Sequence, residues 1–276
     1  MGTAQRDATA KIVSGASWGQ ALSRHPGAVQ ILVAFFLILC WEAVGRTSRF
    51  AILPPLSGIM QGWWNILFTR RAAGGTIGTL PENLLLSGQA LVAGGGLALP
   101  SGILLGTLMA RYRKVEYLFD FYINAFMSAP TAAFIPIIVV LFGLGFTARV
   151  VVIFLYSFFV VCVNTSTGIR HVDRSLVEMA RSFGATERQL FWKIMIPGAV
   201  PLIMAGIRLG IGRAVKGVIN AEALFAIVGL GGMVMLYGNS FDMEKLYAVI
   251  FTIVALAYVL MKSVHLIEKR LTRWQE

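Results

Sequence analysis

Between residues 27 and 267 the chain alternates long apolar runs with short polar breaks. Six runs, about 27–45, 84–109, 118–142, 148–168, 199–221 and 246–267, approach or exceed the roughly 20 residues a helix needs to cross hydrocarbon. Barrel strands are about half that length and alternate residue by residue between apolar and polar. These runs are continuous. Inside a bilayer only a helix satisfies its own backbone amides within one segment, so the pattern predicts an all-α integral membrane protein of six spans.

Finer features sit within and between the runs. Ala98, Gly102 and Gly106 recur every fourth residue, which places small surfaces on one helix face and permits close contact with a neighbour. Pro100, Pro130 and Pro136 each remove a backbone donor and are expected to bend their helices. The stretch from Ser57 to Phe68 mixes aromatics and aliphatics at helical spacing but is too short to span, so it is expected to lie at the outer surface. Arg70, Arg71 and two glycines follow it. Gly231, Gly232 and Gly238 predict a short re-entrant or surface excursion within 222–245.

Composition supports the membrane reading: 57% of residues are hydrophobic and 13% charged, where soluble domains carry roughly 25% charged residues. The net charge of +11 forms no continuous basic domain of the kind nucleic acid attracts. It orients the spans instead. With the N-terminus in the cytoplasm, the inside segments 1–25, 111–117, 169–198 and 262–276 hold 15 Lys/Arg against 6 in the outside segments. Both termini are therefore expected to be cytoplasmic. The polar leader 1–25 carries Arg6, Lys11 and Arg24, but no small-x-small cleavage pattern follows the first run, which reads as a retained span. The division is thus a cytoplasmic segment 1–25, a membrane domain 26–268 with a cytoplasmic loop at 169–198, and a tail 269–276. Cys40 and Cys162 lie in apolar runs and suit buried small side chains rather than a disulfide or a metal cluster.

The polar loop from His171 to Pro197 carries the most information. Ser175 precedes Glu178, and Thr186 precedes Gln189, at the spacing of a capping box, predicting two short helices separated by Gly184. Val172, Leu176, Met179, Ala180 and Phe183 form one apolar stripe; Leu190, Phe191 and Ile194 form another. Without other information, such a helix could also rest on the inner leaflet, which Arg174, Arg181 and Arg188 would favour.

Glu178, Ala180, Gly184, Ile194 and Pro197 match, at the required spacing, the pattern Glu-Ala-Ala, three residues, Gly, nine residues, Ile-x-Leu-Pro, with Met179 and Ile196 as apolar departures. The loop thereby resembles the ATPase-docking loop of permeases of ATP-binding cassette (ABC) importers. Over roughly 25–267 the chain is similar to the group importing nitrate, sulfonates and taurine. The similarity lies in Leu53-Pro54, Leu99–Gly106, Ala129-Pro130, Phe134–Pro136, Phe142–Gly145, Gly206–Arg213, Ala221-Glu222 and Gly229–Gly231. Where that group has Ser-Leu-x-Arg at the opening of the second span, this chain has Ser87-Gly-Gln-Ala90 and lacks the arginine.

The resemblance implies a six-span type I importer transmembrane domain in the bacterial inner membrane. It assigns ATPase coupling to Glu178, Met179, Ala180, Gly184, Ile194 and Pro197. The implied partners are a second, identical permease, two separate ATPases that bind ATP and Mg, and an extracytoplasmic solute-binding protein; this chain itself holds no cofactor.

Arg208, Arg213 and Lys216 fall inside the fifth run, with Glu222 near its outer end. Charges in a bilayer commonly face a protein interior or aqueous cavity, so these are the candidate pathway or structural polar residues. Together the cations favour a small anion, and Glu222 is expected to pair with one of them. Arg208 and Lys216, eight residues apart, lie roughly 80° from each other around an ideal helix while Arg213 lies elsewhere, so the three are not expected to converge on one narrow pore. His25, His171 and His265 are far apart and no phosphate-binding Gly-rich-Lys-Ser/Thr loop occurs, so no enzyme is expected. A neutral or cationic vitamin precursor as solute, an exporter permease and a non-transport scaffold are the alternatives.

Overall fold

A computed structural model describes residues 26–47, 52–68, 78–225 and 228–271. The leader 1–25, the Arg70-Arg71 pair and the end of the tail lie outside the described residues.

The apolar runs fold as helices whose ends reach past the expected bounds, because polar residues outside the hydrocarbon still continue a helix. α1 covers Pro26–Thr47, α2 Leu56–Phe68, α3 Leu80–Arg111 and α4 Arg113–Ser128. A single 3₁₀ turn, Thr131–Phe134, leads into α5, Ile135–Phe142, and α6 follows at Phe146–Arg170. Two short helices, α7 at Arg174–Ser182 and α8 at Glu187–Leu190, continue through a π turn, Phe191–Met195, into α9, Ile196–Phe225. α10, Gly229–Asn239, and α11, Met243–Leu271, complete the order. Among the described residues five helices are long and apolar enough to cross a membrane, and six if the bent pair α4–α5 counts as one span.

The expected third span is the one that departs from a rod. Its two pieces meet at 97°. Ala129 sits before Pro130 in extended backbone, as the proline ring requires of its predecessor, and Pro136 occupies the first turn of α5, where no donor is needed.

α3, α6 and α9 form the centre of the bundle. Lipid offers no hydrophobic drive between helices, so close packing of small residues must supply the attraction. A Cβ on Gly102 would stand 3.0 Å from the Phe158 carbonyl of α6, and Ala98 is fully buried on the same face. The four-residue small stripe is therefore the α3–α6 contact. Ser157 Oγ donates to the Gly210 carbonyl of α9 at 2.8 Å, satisfying itself inside the core. At one end of this core Arg170 pairs with Glu116 and donates to the Met109 carbonyl, tying together α3, α4 and α6.

The remaining helices flank this core. α2, expected at the surface, buries Gly58, Ile59, Gly62 and Ile66, and its Gly62 lets α11 approach closely. Its other face leaves Met60, Trp64 and Phe68 exposed. α1 touches the rest through Trp41, whose indole donates to the Pro54 carbonyl and meets Tyr247 edge-on, and through Glu42, which accepts the Ser57 amide and hydroxyl of α2. Cys40 on α1 is exposed, contrary to the expectation of burial, because that helix packs on so little; Cys162 is buried as expected, its Sγ 3.6 Å from Met109 Sδ. α10 is no surface excursion: Gly229 through Met233 are buried against α3, α9 and α11.

Candidate functional site

The α7–α8 loop forms the two helices expected of it, with one change at its start. Asp173, two residues before Ser175, is the N-cap: its carboxylate accepts the Ser175 amide at 2.9 Å. Ser175 is thus already helical, and the expected Ser175–Glu178 box does not form. The Glu178 side chain is exposed, and no cation among the described residues pairs with it. The second box is present, with Thr186 N–H donating to Gln189 Oε1 at 2.8 Å.

Gly184 explains the sharp stop between the helices. Its φ is +80°, and the Gly184 and Ala185 amides donate to the carbonyls of Arg181 and Ala180, the crossed pair of bonds that closes a helix through a left-handed residue. A Cβ there would meet open space. Backbone conformation, rather than crowding within this chain, is what requires glycine. The two apolar stripes separate in space. Phe191 is buried with Ile169 and Ala199, Leu190 is buried beside it in the chain, and the Arg111 guanidinium lies over the Phe191 ring. Leu176, Met179 and Phe183 stay exposed, Phe183 at 85%.

Ile194 and Pro197 sit where α8 runs into α9. Pro197 cannot donate to the Lys193 carbonyl, and at this point the helix widens: the Ile196 amide donates back five residues to Phe191. The path from Glu187 to Leu224 is still one membrane-long element of 38 residues.

The charges on α9 go to three different places. Arg208 pairs with Glu268 of α11. Arg213 and Lys216 line a cavity of about 280 Å³ with Phe126, Met127, Thr131, Tyr156 and Phe159. Glu222, 2% exposed, pairs with Arg149 of α6 at 3.3 Å rather than with any of the three α9 cations. The reason is angular: Glu222 lies roughly 240° from Lys216 and roughly 180° from Arg213 around an ideal helix, facing α3 and α10 instead.

Sequence reasoning missed the residues that surround Glu222. Ser87 Oγ donates to its carboxylate at 2.7 Å and accepts the Leu230 amide at 2.9 Å. Glu222 Oε2 accepts the Gly231 amide at 3.1 Å, and Asn83 Oδ1 accepts the Gly229 amide at 2.8 Å. Three successive amides that open α10, orphaned in any helix, thus find side-chain acceptors. Asn83 and Ser87 stand four apart on α3, one face of a helix, and that polar pair was the available signal. Ala90, the position where the resemblance led us to expect an arginine, is fully buried among Ile153 and Val218; the cation reaching Glu222 is Arg149.

Among the described residues no three His, Cys, Asp or Glu side chains form a set able to hold a metal ion.

The sequence pattern described as "Binding-protein-dependent transport system inner membrane component" matches residues 100–273, more than half the chain. The taurine transport system permease protein of Escherichia coli (strain K12) is 28% identical, over 93% of each chain. The riboflavin transport system permease protein of Chloroflexus aurantiacus is 29% identical, over 87% of each. In fold, the chain is similar to the MetNI methionine ABC transporter solved in inward-facing conformations, with a TM-score of 0.55 and 19% identity over 79% of this chain and 97% of that one. The all-α multi-span fold of this chain thus matches that of a solved ABC importer. The chain is a multi-pass member of the binding-protein-dependent transport system inner membrane components, a permease subunit of an ABC importer for a small solute.

Proposed function

We propose that the imported solute is a small organic or inorganic anion, such as a sulfonate or nitrate. The observation that carries this is the pair Arg213 and Lys216: both exposed on a membrane-spanning helix, both facing one cavity, and neither ion-paired among the described residues. Similarity to a taurine permease supports it.

The working assembly is a homodimer with one pathway between protomers. Two separate ATPases, which bind ATP and Mg, dock on the α7–α8 loop, and a solute-binding protein delivers the solute on the opposite face. The excess of Lys/Arg in segments 1–25, 111–117, 169–198 and 262–276 supports a cytoplasmic position for both termini and for this loop, in the bacterial inner membrane. Glu178, Met179, Ala180 and Gly184 form the docking knob, and Ile194 and Pro197 join it to α9. ATP-driven approach of the ATPases moves the knob, and with it the balance between outward-open and inward-open states.

The test is reconstitution of the permease with its ATPase and receptor in liposomes, with uptake of taurine, nitrate and riboflavin measured side by side. ATP-dependent accumulation of an anion is the expected result. Uptake of riboflavin alone would establish the vitamin reading, which similarity to a riboflavin permease keeps in view.

A further inference from the structure

We propose that the cavity between α4, α6 and α9 is a membrane-level binding site for an organic monoanion, with Arg213 and Lys216 holding its oxyanion and Phe126 and Phe159 its apolar body. The proposal rests on the anion-importer reading and adds the site and the chemical class of its ligand.

Four cations within the bundle are compensated unequally. Arg149 has Glu222 and Arg208 has Glu268, so their charge is compensated where it lies. Arg213 and Lys216 have no carboxylate among the described residues, yet Lys216 lies roughly two and a half turns from the nearer end of α9. An uncompensated charge at membrane depth is costly unless it faces water or an anion. Three residues apart, the two cations are neighbours on one helix face and repel each other. A single oxyanion between them removes both penalties. Arg presents a planar fork of donors and Lys three more, which suits a sulfonate or carboxylate head.

The opposite wall is not built for a bare ion. Phe126 of α4 and Phe159 of α6 stack with centroids 5.0 Å apart and planes 8° from parallel, and Met127 lies beside them. The bend after α4 brings Thr131 to the same cavity, adding a hydroxyl. Tyr156 faces it from α6; its phenol oxygen accepts from Asn220 Nδ2 at 3.1 Å, which leaves the hydroxyl proton to donate. Asn220 extends the Arg213–Lys216 row by one more turn of α9. A volume of about 280 Å³ stands at the lower end of small-molecule sites, typically about 300–1,000 Å³, and sets the size of the ligand. Two cations, two hydroxyls and an aromatic wall fit an aliphatic or aromatic sulfonate or carboxylate better than nitrate.

The permease–ATPase complex, in nanodiscs of phosphatidylcholine and without receptor, is titrated with 1-naphthalenesulfonate by fluorescence. Saturable binding is expected, about tenfold weaker in Arg213→Gln and in Lys216→Gln, and lost in the double variant. Tyr156→Phe, which removes only the hydroxyl, should weaken binding a few-fold. Neutral 1-naphthalenesulfonamide should not compete, and nitrate should compete only weakly. Elution volume and co-purification of the ATPase establish that each variant is assembled. Unchanged binding in the assembled double variant overturns the proposal. So does loss of the signal when phosphatidylglycerol is added, which would make a lipid headgroup the occupant. If liposomes accumulate an anion while the double variant binds the probe normally, the cavity assignment fails and the anion-importer reading stands. Uptake of neutral solute alone sinks both.

Discussion

α7 and α10 are short helices at opposite ends of the same long element, and each is joined to the chain through a left-handed glycine. Gly184 has φ +80° and Gly229 φ +82°. There the likeness ends. α7 buries none of its residues, and a Cβ on Gly184 would meet open space. α10 buries its first five, and a Cβ on Gly229 would run into the Glu222 carboxylate. One backbone device thus serves two purposes: it stops α7 abruptly so that its apolar stripe projects, and it turns the chain tightly enough for the α10 amides to reach Asn83, Ser87 and Glu222. The exposed helix leaves its apolar stripe uncovered. The buried one is tied to α3 and α9 through its first three amides.

If that contrast is correct, the largest effect comes from breaking that tie. Glu222→Ala leaves Arg149 and the Gly231 amide without their acceptor, and loss of one partner of a buried ion pair is worth about 3–5 kcal/mol. The thermal midpoint of the solubilised permease should fall clearly, and transport should be lost. Gly229→Ala comes next, combining roughly 1–2 kcal/mol for an alanine in left-handed backbone with displacement of the Glu222 carboxylate. It should lower the midpoint far more than the same change at the other glycine. Gly184→Ala carries only the conformational cost of roughly 1–2 kcal/mol, because no atom stands in the way. A modest drop in midpoint with a large loss of solute-stimulated ATP hydrolysis is expected. Equal destabilisation by the two glycine changes would show that crowding by Glu222 contributes nothing. The smallest effect on stability belongs to Phe183→Ala: an exposed ring supports no core, so the midpoint should not move while ATPase co-purification falls. A lower midpoint with normal ATPase binding would make α7 a structural element rather than a docking one.

Much of this protein was legible from local pattern. Spans announce themselves by length and hydropathy, and the small-residue stripe at Ala98, Gly102 and Gly106 makes the close helix contact it was expected to make, with α6 as the partner. Thr186 and Gln189 make their capping box because both partners lie within one turn. Ser175 and Glu178 do not, because Asp173 caps first; two acceptors competed for the same helix start, and spacing alone could not rank them. The bend at Pro130 was predicted as a bend but not as a right-angled break.

What the sequence by itself determined was whatever depends on near neighbours along the chain: helix lengths, caps, prolines, the exposed stripe of α7 and the charge asymmetry between loops. Partner choice across the bundle was decided by tertiary structure. Glu222 was expected to meet a cation of its own helix and instead met Arg149, 73 residues away, together with Ser87, 135 residues away. A buried carboxylate must find donors somewhere, but which ones depends on the faces that packing turns toward it. The same packing that compensated Arg208 and Arg149 left Arg213 and Lys216 facing an open cavity, a distinction no linear spacing between charges contains.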